Sequence, residues 1–421
     1  MPADSDLFLG LDIGTSGARA VVIDGAGVVR ASGKSAMADH GADLRSPAVW
    51  LAAADVALRG ALAGVDARKV RALAVDGTSG TMLAVNAVGQ PLGPGIMYND
   101  PCTEAAVLAA IAAHAPAESA AHGPTSGAAR AVVLGRLKPA KVLHQADWIA
   151  FQLSGRMVSD ANNALKTGYD PVVGRWPDWL ARAGVDESLL PQVLGPGAVV
   201  GPVAGAAAAR FGLSPGAVVV AGTTDGCASF LATGADQPGD GVTALGTTLT
   251  LKLLSDRPIF APDYGIYSHR LLGMWLPGGA SNSGGAALLQ HFTAEEMADL
   301  SPRINAGQDT GLDYYPLPKP GERFPIADPA MAPRDHPRPA DRVTFLQALF
   351  EGLAGVEAQG YRRLAELGAP PLRSVRSVGG AAGNAALTRI RERRLGVAMA
   401  EPLSGDAAYG TALLARRGVQ G

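Results

Sequence analysis

The chain has 421 residues, 48% hydrophobic and 18% charged, with a formal net charge of −2. That length exceeds what one hydrophobic core usually supports, so two domains are expected. The near-neutral balance excludes the basic field of a nucleic-acid binder, and no run approaches the ~18 uninterrupted apolar residues of a membrane span. The two cysteines, Cys102 and Cys227, lie far apart and outside any CxxC pattern, so neither a disulfide framework nor a cysteine-ligated metal centre is implied. The opening MPADSD lacks a basic stretch followed by a long apolar one, and a cytoplasmic setting is expected.

In chain order, Leu7–Leu11 is an apolar run that stops at Asp12, followed by the turn residues Gly14-Thr15-Ser16-Gly17. Ala20–Ile23, the turn Asp24–Gly27 and the run opening at Val28 complete a β-meander. Ser46 and Pro47 read as the cap and first residue of a helix striped by Val49, Leu51, Val56, Leu58 and Leu62. Leu73–Val75 is a strand ending at Asp76, with the loop Gly77–Thr81 leading into Met82–Val85. Pro139–Leu153 reads as one amphipathic helix closed by Gly155, and 160–202 as short helices and connections.

The opening pattern then recurs. Val218–Ala221 leads through Gly222-Thr223-Thr224 to Asp225, and Val242–Leu245 and Leu249–Leu254 flank Gly246-Thr247-Thr248. A strand, Gly-Thr turn, strand arrangement used twice suggests a duplicated βββαβα unit. The Pro-dense segment Tyr314–Pro339 reads as a crossover loop, with helices following at Val343–Leu367, from Leu387, and at Asp406–Ala415. Arg389, Arg391, Arg393 and Arg394 read as a solvated helix face.

Glycine turns between strands let backbone N–H groups approach an anion, which phosphoryl transfer needs together with a metal ion and a residue that positions the acceptor hydroxyl. Asp12, Asp76 and Asp225 each fall at the end of an apolar strand, on the rim where α/β sheets bind ligands. Aspartate beside glycine also simply favours turns. That accounts for Asp76 equally well, and less well for Asp12 and Asp225, which are embedded in the two phosphate-type signatures. His114 and His122 have no metal-ligand spacing, Ser281 and Ser283 lack a nucleophile elbow, and Trp176 and Trp179 read as packing residues. The string at Gly379 is G-G-A-A-G-N, not a dinucleotide fingerprint.

The ordered strings LGLDIGTSGARAVVID, VDGTSGT, MYND, GTTDGCASFLATGA, ALGTTLTLKL, GGASNSGG and SVGGAAGN together resemble the FGGY carbohydrate kinases of the actin/Hsp70/hexokinase superfamily, over essentially the whole chain. In its compact length the chain resembles the ribulose/xylulose-kinase-like subgroup. The resemblance implies an α/β protein with two ribonuclease-H/actin-like domains facing each other across a deep catalytic cleft. Residues 1–232 plus 404–421 would form the sugar-binding domain and 233–403 the nucleotide-binding domain. The implied activity is ATP-dependent phosphorylation of a ketopentose, D-ribulose first and D-xylulose second, with a non-sugar actin-like ATPase as the reading from another class.

By the same resemblance Asp225 is the catalytic base, and Asp12 with Asp225 organises Mg2+. Gly14, Thr15, Ser16, Gly246, Thr247, Thr248, Gly379, Gly380 and Asn384 hold ATP, while Asp12, Ser79, Asn99, Asp100 and Asp225 hold the sugar. Two departures stand out. Tyr98-Asn99-Asp100-Pro101-Cys102 replaces the W-x-D-x-R of many members, and Leu387 replaces a tryptophan. The implied partners are a small sugar and ATP, with no nucleic acid or membrane, in a monomer or homodimer.

Overall fold

The computed structural model describes residues 6–420. The chain divides into two compact units. One comprises the described residues up to Ala232, His269–Leu271, and those from Asp406 on. The other is Thr233–Ser268 with Leu272–Gly405.

The first unit is built on a seven-stranded sheet. β1 (Leu7–Ile13) is buried along its whole length, as a central strand covered on both faces should be. It pairs antiparallel with β2 (Gly17–Asp24), which pairs antiparallel with β3 (Val29–Ala36). β3 alternates between exposed and half-buried positions and forms an edge carrying Lys34. α1 (Pro47–Leu62) makes the crossover to β4 (Val70–Gly77), which lies parallel to β1. Val218–Val220 follows, parallel to β4, with Val199–Pro202 beyond it and the two-residue strand Thr223–Thr224 also on β4.

Each face of this sheet has its own apolar layer. α1 and the helix Gln145–Ser154 cover one face through Trp50, Leu58, Trp148 and Ile149. The C-terminal helix Ala407–Gln420 and the helix Asp225–Ala232 cover the other, against Phe8, Val21, Ile23 and Ala74. Close packing there requires glycine. A Cβ on Gly10 would lie 2.1 Å from Ala408 O and 2.2 Å from Ala412 N.

The expected helix over 139–153 begins later. Lys141–His144 is a strand, antiparallel to Met82–Val85, and the helix is Gln145–Ser154. Val142 and Leu143 are buried in that ribbon, and a short apolar run suits a strand as well as a helix. Within 160–202, three short strands accompany the helical turns.

The second unit carries five strands of a six-stranded sheet, in the order Met274–Ser281, Leu249–Leu253, Asp240–Leu245, Ser374–Val378, Ala398–Ala400; the strand before Met274–Ser281 in that order is Tyr267–Leu271, of which His269–Leu271 clusters with the first unit. As in the first sheet, an antiparallel meander meets a parallel strand beside its first member. The helix Arg342–Glu366, capped by Asp341, buries sixteen of its residues.

One expectation on this unit is corrected. Arg391 belongs to no solvated face: it is fully buried. It falls one residue after Ile390 and four after Leu387, on the inward stripe of Ala385–Leu395. Its Nε and Nη2 donate to Glu357 at 2.6 and 2.8 Å, and Nη1 donates to Ser377 Oγ at 2.7 Å. Glu357 also accepts from Thr243 Oγ1 at 2.6 Å.

Candidate active site

In the first unit, the rim of the sheet gathers carboxylates. Asp12 on β1 is the direct Cα partner of Arg19 on β2 and of Asp76 on β4, and Thr223 is the partner of Asp76 on its other side. Thus Arg19, Asp12, Asp76 and Thr223 form one row across four strands. Arg19 reaches Asp12 at 3.4 Å. Asp76 accepts a hydrogen bond from Thr411 on the C-terminal helix.

Asp76 is fully buried and its other oxygen, Oδ1, has no N–H or O–H partner. Burial, then the negative charge of Asp12, raises its pKa well above the ordinary carboxyl value. Burial raises the Asp12 pKa to about 6, against the opposing hydrogen bond from Asp76 and the charge of Arg19. Burial and mutual repulsion thus favour a proton within the pair, and the hydrogen bond between the two carboxyls lowers Asp12 while raising Asp76. The field of Asp225 raises both groups, so all three carboxylates sit in one neighbourhood.

Asp225 does not end a strand. It is the first residue of the helix Asp225–Ala232, half-buried, with Oδ1 accepting from Gly226 N at 2.6 Å. The hairpin after Asp12 closes through Gly14 N donating to Gly17 O at 2.9 Å, and leaves Thr15 and Ser16 exposed. Gly17 is obligatory there, since a Cβ would meet Ser35 O at 2.7 Å.

The other sugar-side candidates differ in state. Ser79 has a buried Oγ without a partner, and its carbonyl accepts from Lys166 Nζ at 3.4 Å. Asn99 is exposed. Asp100 is committed within the protein: Arg45 donates to both its oxygens, at 3.0 and 2.7 Å, and Met97 N adds a third bond. Arg45 first, and then the Met97 amide, hold its carboxyl below the ordinary range. Cys102 stands two residues after Asp100 where the motif has arginine, but Arg130 donates from elsewhere to the carbonyls of Tyr98 and Asp100 at 2.8 and 2.9 Å.

In the second unit, glycine-bearing segments converge on one sheet end. Gly246–Thr248 turns the hairpin between Asp240–Leu245 and Leu249–Leu253, with Gly246 and Thr247 exposed. Gly285 N donates to Gly246 O at 2.8 Å, and a Cβ on Gly284 would lie 2.7 Å from Thr248 Cα. Gly379 has φ +93, and its Cβ would meet Leu245 O at 2.7 Å, while Gly380 faces open space. Asn384 caps the helix Ala385–Leu395 by accepting from Leu387 N at 3.0 Å and donates to Ser301 Oγ at 2.8 Å. Leu387 itself is core, 1% exposed.

Sequence reasoning missed Arg19, whose alternation along β2 placed it opposite Asp12. It also missed Thr411 and the Gly284–Gly285 contact, which only tertiary packing reveals.

Among the described residues no group of three or more His, Cys, Asp or Glu side chains is arranged to hold a metal ion. Mg2+ does not require one, since it keeps several waters and binds through one or two carboxylates plus phosphate oxygens. Asp12 fits that role: its charge is disfavoured by burial and by neighbouring carboxylates, which a cation would offset. No helix among the described residues is long and apolar enough to cross a membrane.

The architecture is that of two-domain α/β sugar and polyol kinases. A xylulose kinase from Rhodospirillum rubrum superposes with a TM-score of 0.82 at 24% identity, covering 98% of this chain and 90% of its own. A glycerol kinase from Plasmodium falciparum, solved with ADP, gives 0.81 at 14% identity over 99% and 90%. The N-terminal domain model of the FGGY family of carbohydrate kinases matches residues 131–232, and the C-terminal domain model matches 241–418. The chain belongs to the FGGY family of carbohydrate kinases.

Among individual relatives, a xylulose kinase of Streptomyces coelicolor is 30% identical over 285 residues, 61% of this chain and 56% of that protein. An autoinducer-2 kinase of Yersinia enterocolitica is 28% identical over 297 residues, 65% of this chain and 56% of that protein. The matched part thus spans less than two thirds of these relatives' lengths.

Proposed function

We propose that this protein transfers the γ-phosphoryl group of ATP to a hydroxyl of a small sugar, with Asp225 orienting that hydroxyl and accepting its proton. The observation that carries the reading is the grouping of Asp12, Asp76 and Asp225 beside a glycine hairpin in the first unit. Phosphoryl transfer asks chiefly for positioning and charge stabilisation, and a carboxylate that takes the proton late suits it. In this proposal residues 1–232 and 404–421 bind the sugar, with Ser79, Asn99 and Asp100 as candidate hydroxyl contacts. Residues 233–403 bind the nucleotide.

Gly14, Thr15 and Ser16 in the first unit and Gly246, Thr247 and Thr248 in the second offer backbone N–H and hydroxyl donors to phosphate oxygens. Gly379 and Gly380 give close backbone approach to the nucleotide. Asn384, oriented by its bonds to Ser301 Oγ and Leu387 N, keeps a second N–H and a second lone pair to offer the ribose or base. Mg2+, when bound with ATP, would neutralise developing phosphate charge. Asp12 and Asp225 are the residues proposed to hold it. The proposed setting is the cytoplasm, where ATP and free thiols such as Cys102 and Cys227 coexist.

For the acceptor we propose a ketopentose. Compact length and motif strings put D-ribulose first, whereas the names of the sequence relatives support D-xylulose. The test is ADP release from Mg·ATP against ketoses, aldoses, sugar acids and polyols, beside a no-sugar control. Stimulation by one ketopentose, lost in Asp225→Asn, supports the reading. Equal release with and without every sugar overturns it in favour of an ATPase without a sugar acceptor.

A further inference from the structure

The strand that delivers Asp225 is only two residues long, Thr223–Thr224, paired with Asp76 and Gly77. So short a ladder fixes little by itself, yet it must aim a carboxylate. Two adjacent side chains from a different element hold it. Asn162 Nδ2 donates to Thr223 Oγ1 at 2.9 Å, and Asn163 Nδ2 donates to Thr223 O at 3.1 Å. Thr223 is thus gripped at its side chain and its backbone, two residues before Asp225 and in register with Asp76.

Both asparagines are buried, at 1% and 0% exposure, and both are themselves oriented. Asp160 caps the turn Ala161–Ala164 by accepting from Asn162 N and Asn163 N at 2.8 and 3.0 Å. Its other oxygen accepts from Asn163 Nδ2 at 2.6 Å. That bond fixes which end of the Asn163 amide faces Thr223. Asn162 is fixed by exchanging two hydrogen bonds with the backbone of Arg270, at 2.7 and 2.8 Å, within the segment His269–Leu271 that clusters with the first unit.

The arrangement leaves a deficit. Asn163 Oδ1 is buried and has no partner. A buried acceptor left unmade costs free energy that a smaller apolar residue would avoid. The amide is retained in spite of that because its nitrogen bridges Asp160 to Thr223. The folded core needs no such bridge: the sheet already has α1 and Gln145–Ser154 on one face and two helices on the other.

We propose that Asn162 and Asn163 are positioning residues for the phosphoryl transfer, holding Thr223 so that Asp225 meets the acceptor hydroxyl at the reactive distance. The inference rests on the reading of Asp225 as the base. The polar partners of the two asparagine side chains are Thr223, Asp160 and the backbone of Arg270. The asparagines act through Thr223, so their loss should change the chemical step and leave the binding of both substrates nearly intact.

The experiment compares Asn163→Leu, Thr223→Val and Thr223→Ser with the parent and with Asp225→Asn, with kcat expressed per folded molecule from near-ultraviolet circular dichroism. Asn163→Leu and Thr223→Val should lower kcat about 10- to 100-fold with each KM within about threefold. Thr223→Ser, which keeps the hydroxyl, should recover most of that loss. In the Asp225→Asn background, Asn163→Leu should have no further effect, because residues that act as one unit are not additive. Parental kcat in Asn163→Leu and Thr223→Val, or an undiminished further loss in the Asp225→Asn background, overturns the positioning role while leaving Asp225 as base. Undiminished activity of Asp225→Asn alone overturns the base assignment and the inference with it.

Discussion

Asp12 and Asp76 are direct Cα partners across the parallel pair β1–β4, and Thr411 donates to Asp76 from the C-terminal helix. Burial and the repulsion between the two carboxyls raise the pKa of both, which links stability to pH. Between the ordinary carboxyl value of 3.8 and the Asp12 value of about 6, the folded chain binds more protons than the unfolded one. Stability is therefore fully present at low pH with respect to this group and is lost as pH rises through about 6. A rise to about 6 corresponds to roughly 3 kcal/mol. Asp76, also raised by burial and by the charge of Asp12, adds a loss of the same sign.

Asp76→Asn keeps an acceptor for Thr411 and offers Asp12 a permanent N–H donor. The variant should melt several degrees higher than the parent at pH 8 and lose most of that advantage at pH 4. Calorimetric melting across pH 4–8 checks this. An equal destabilisation at both ends would show that the pair does not hold a proton.

Asp225→Asn preserves shape and removes the carboxylate proposed as the base. Sugar phosphorylation should fall by about 10²- to 10⁴-fold, with ATP affinity by titration calorimetry within a few-fold of the parent. A matching collapse of ATP affinity would move Asp225 from catalysis to nucleotide binding.

The Arg391–Glu357 pair is buried on both sides, with side chains 0% and 1% exposed. Removing one partner strands a charge in the core, at about 3–5 kcal/mol. Glu357→Leu or Arg391→Met alone should lower the denaturant midpoint sharply, and the double replacement should regain most of the loss. Additive single effects in that cycle would contradict a direct pair.

Gly10→Ala should destabilise by about 1–3 kcal/mol or more, because the new methyl meets the backbone of Ala408 and Ala412. Displacing that helix also separates Thr411 from Asp76, so the pH dependence of melting should change along with the midpoint. An unaltered midpoint in chemical denaturation would mean that the helix can slide.

What the sequence made legible was local. The hairpin at Asp12–Gly17 and the turn at Gly246–Thr248 announce themselves by glycine and threonine between apolar runs. The helix starting at Pro47 follows from its cap chemistry. What stayed hidden spans long separations: 335 residues from Asp76 to Thr411, 61 from Asn162 to Thr223, 34 from Glu357 to Arg391. Lys141–His144 reads as helix from sequence because its partner strand, Met82–Val85, gives no local sign of the pairing. Arg391 reads as solvent-facing because charge outweighs position when only neighbours in sequence are weighed.

The helix Ala407–Gln420 seals a face of the first sheet although the whole second unit precedes it in the chain. On a ribosome, the strands of that sheet emerge early, and the face formed by Phe8, Val21, Ile23, Ala72 and Ala74 has only the helix Asp225–Ala232 as partial cover until translation of residues 233–405 is finished. Vectorial synthesis therefore cannot complete the first unit on its own schedule. The nascent chain presents an apolar face for most of its elongation, a natural substrate for holdase chaperones. A stalled or prematurely terminated transcript would yield a product lacking both that cover and the hydroxyl that Thr411 lends to Asp76.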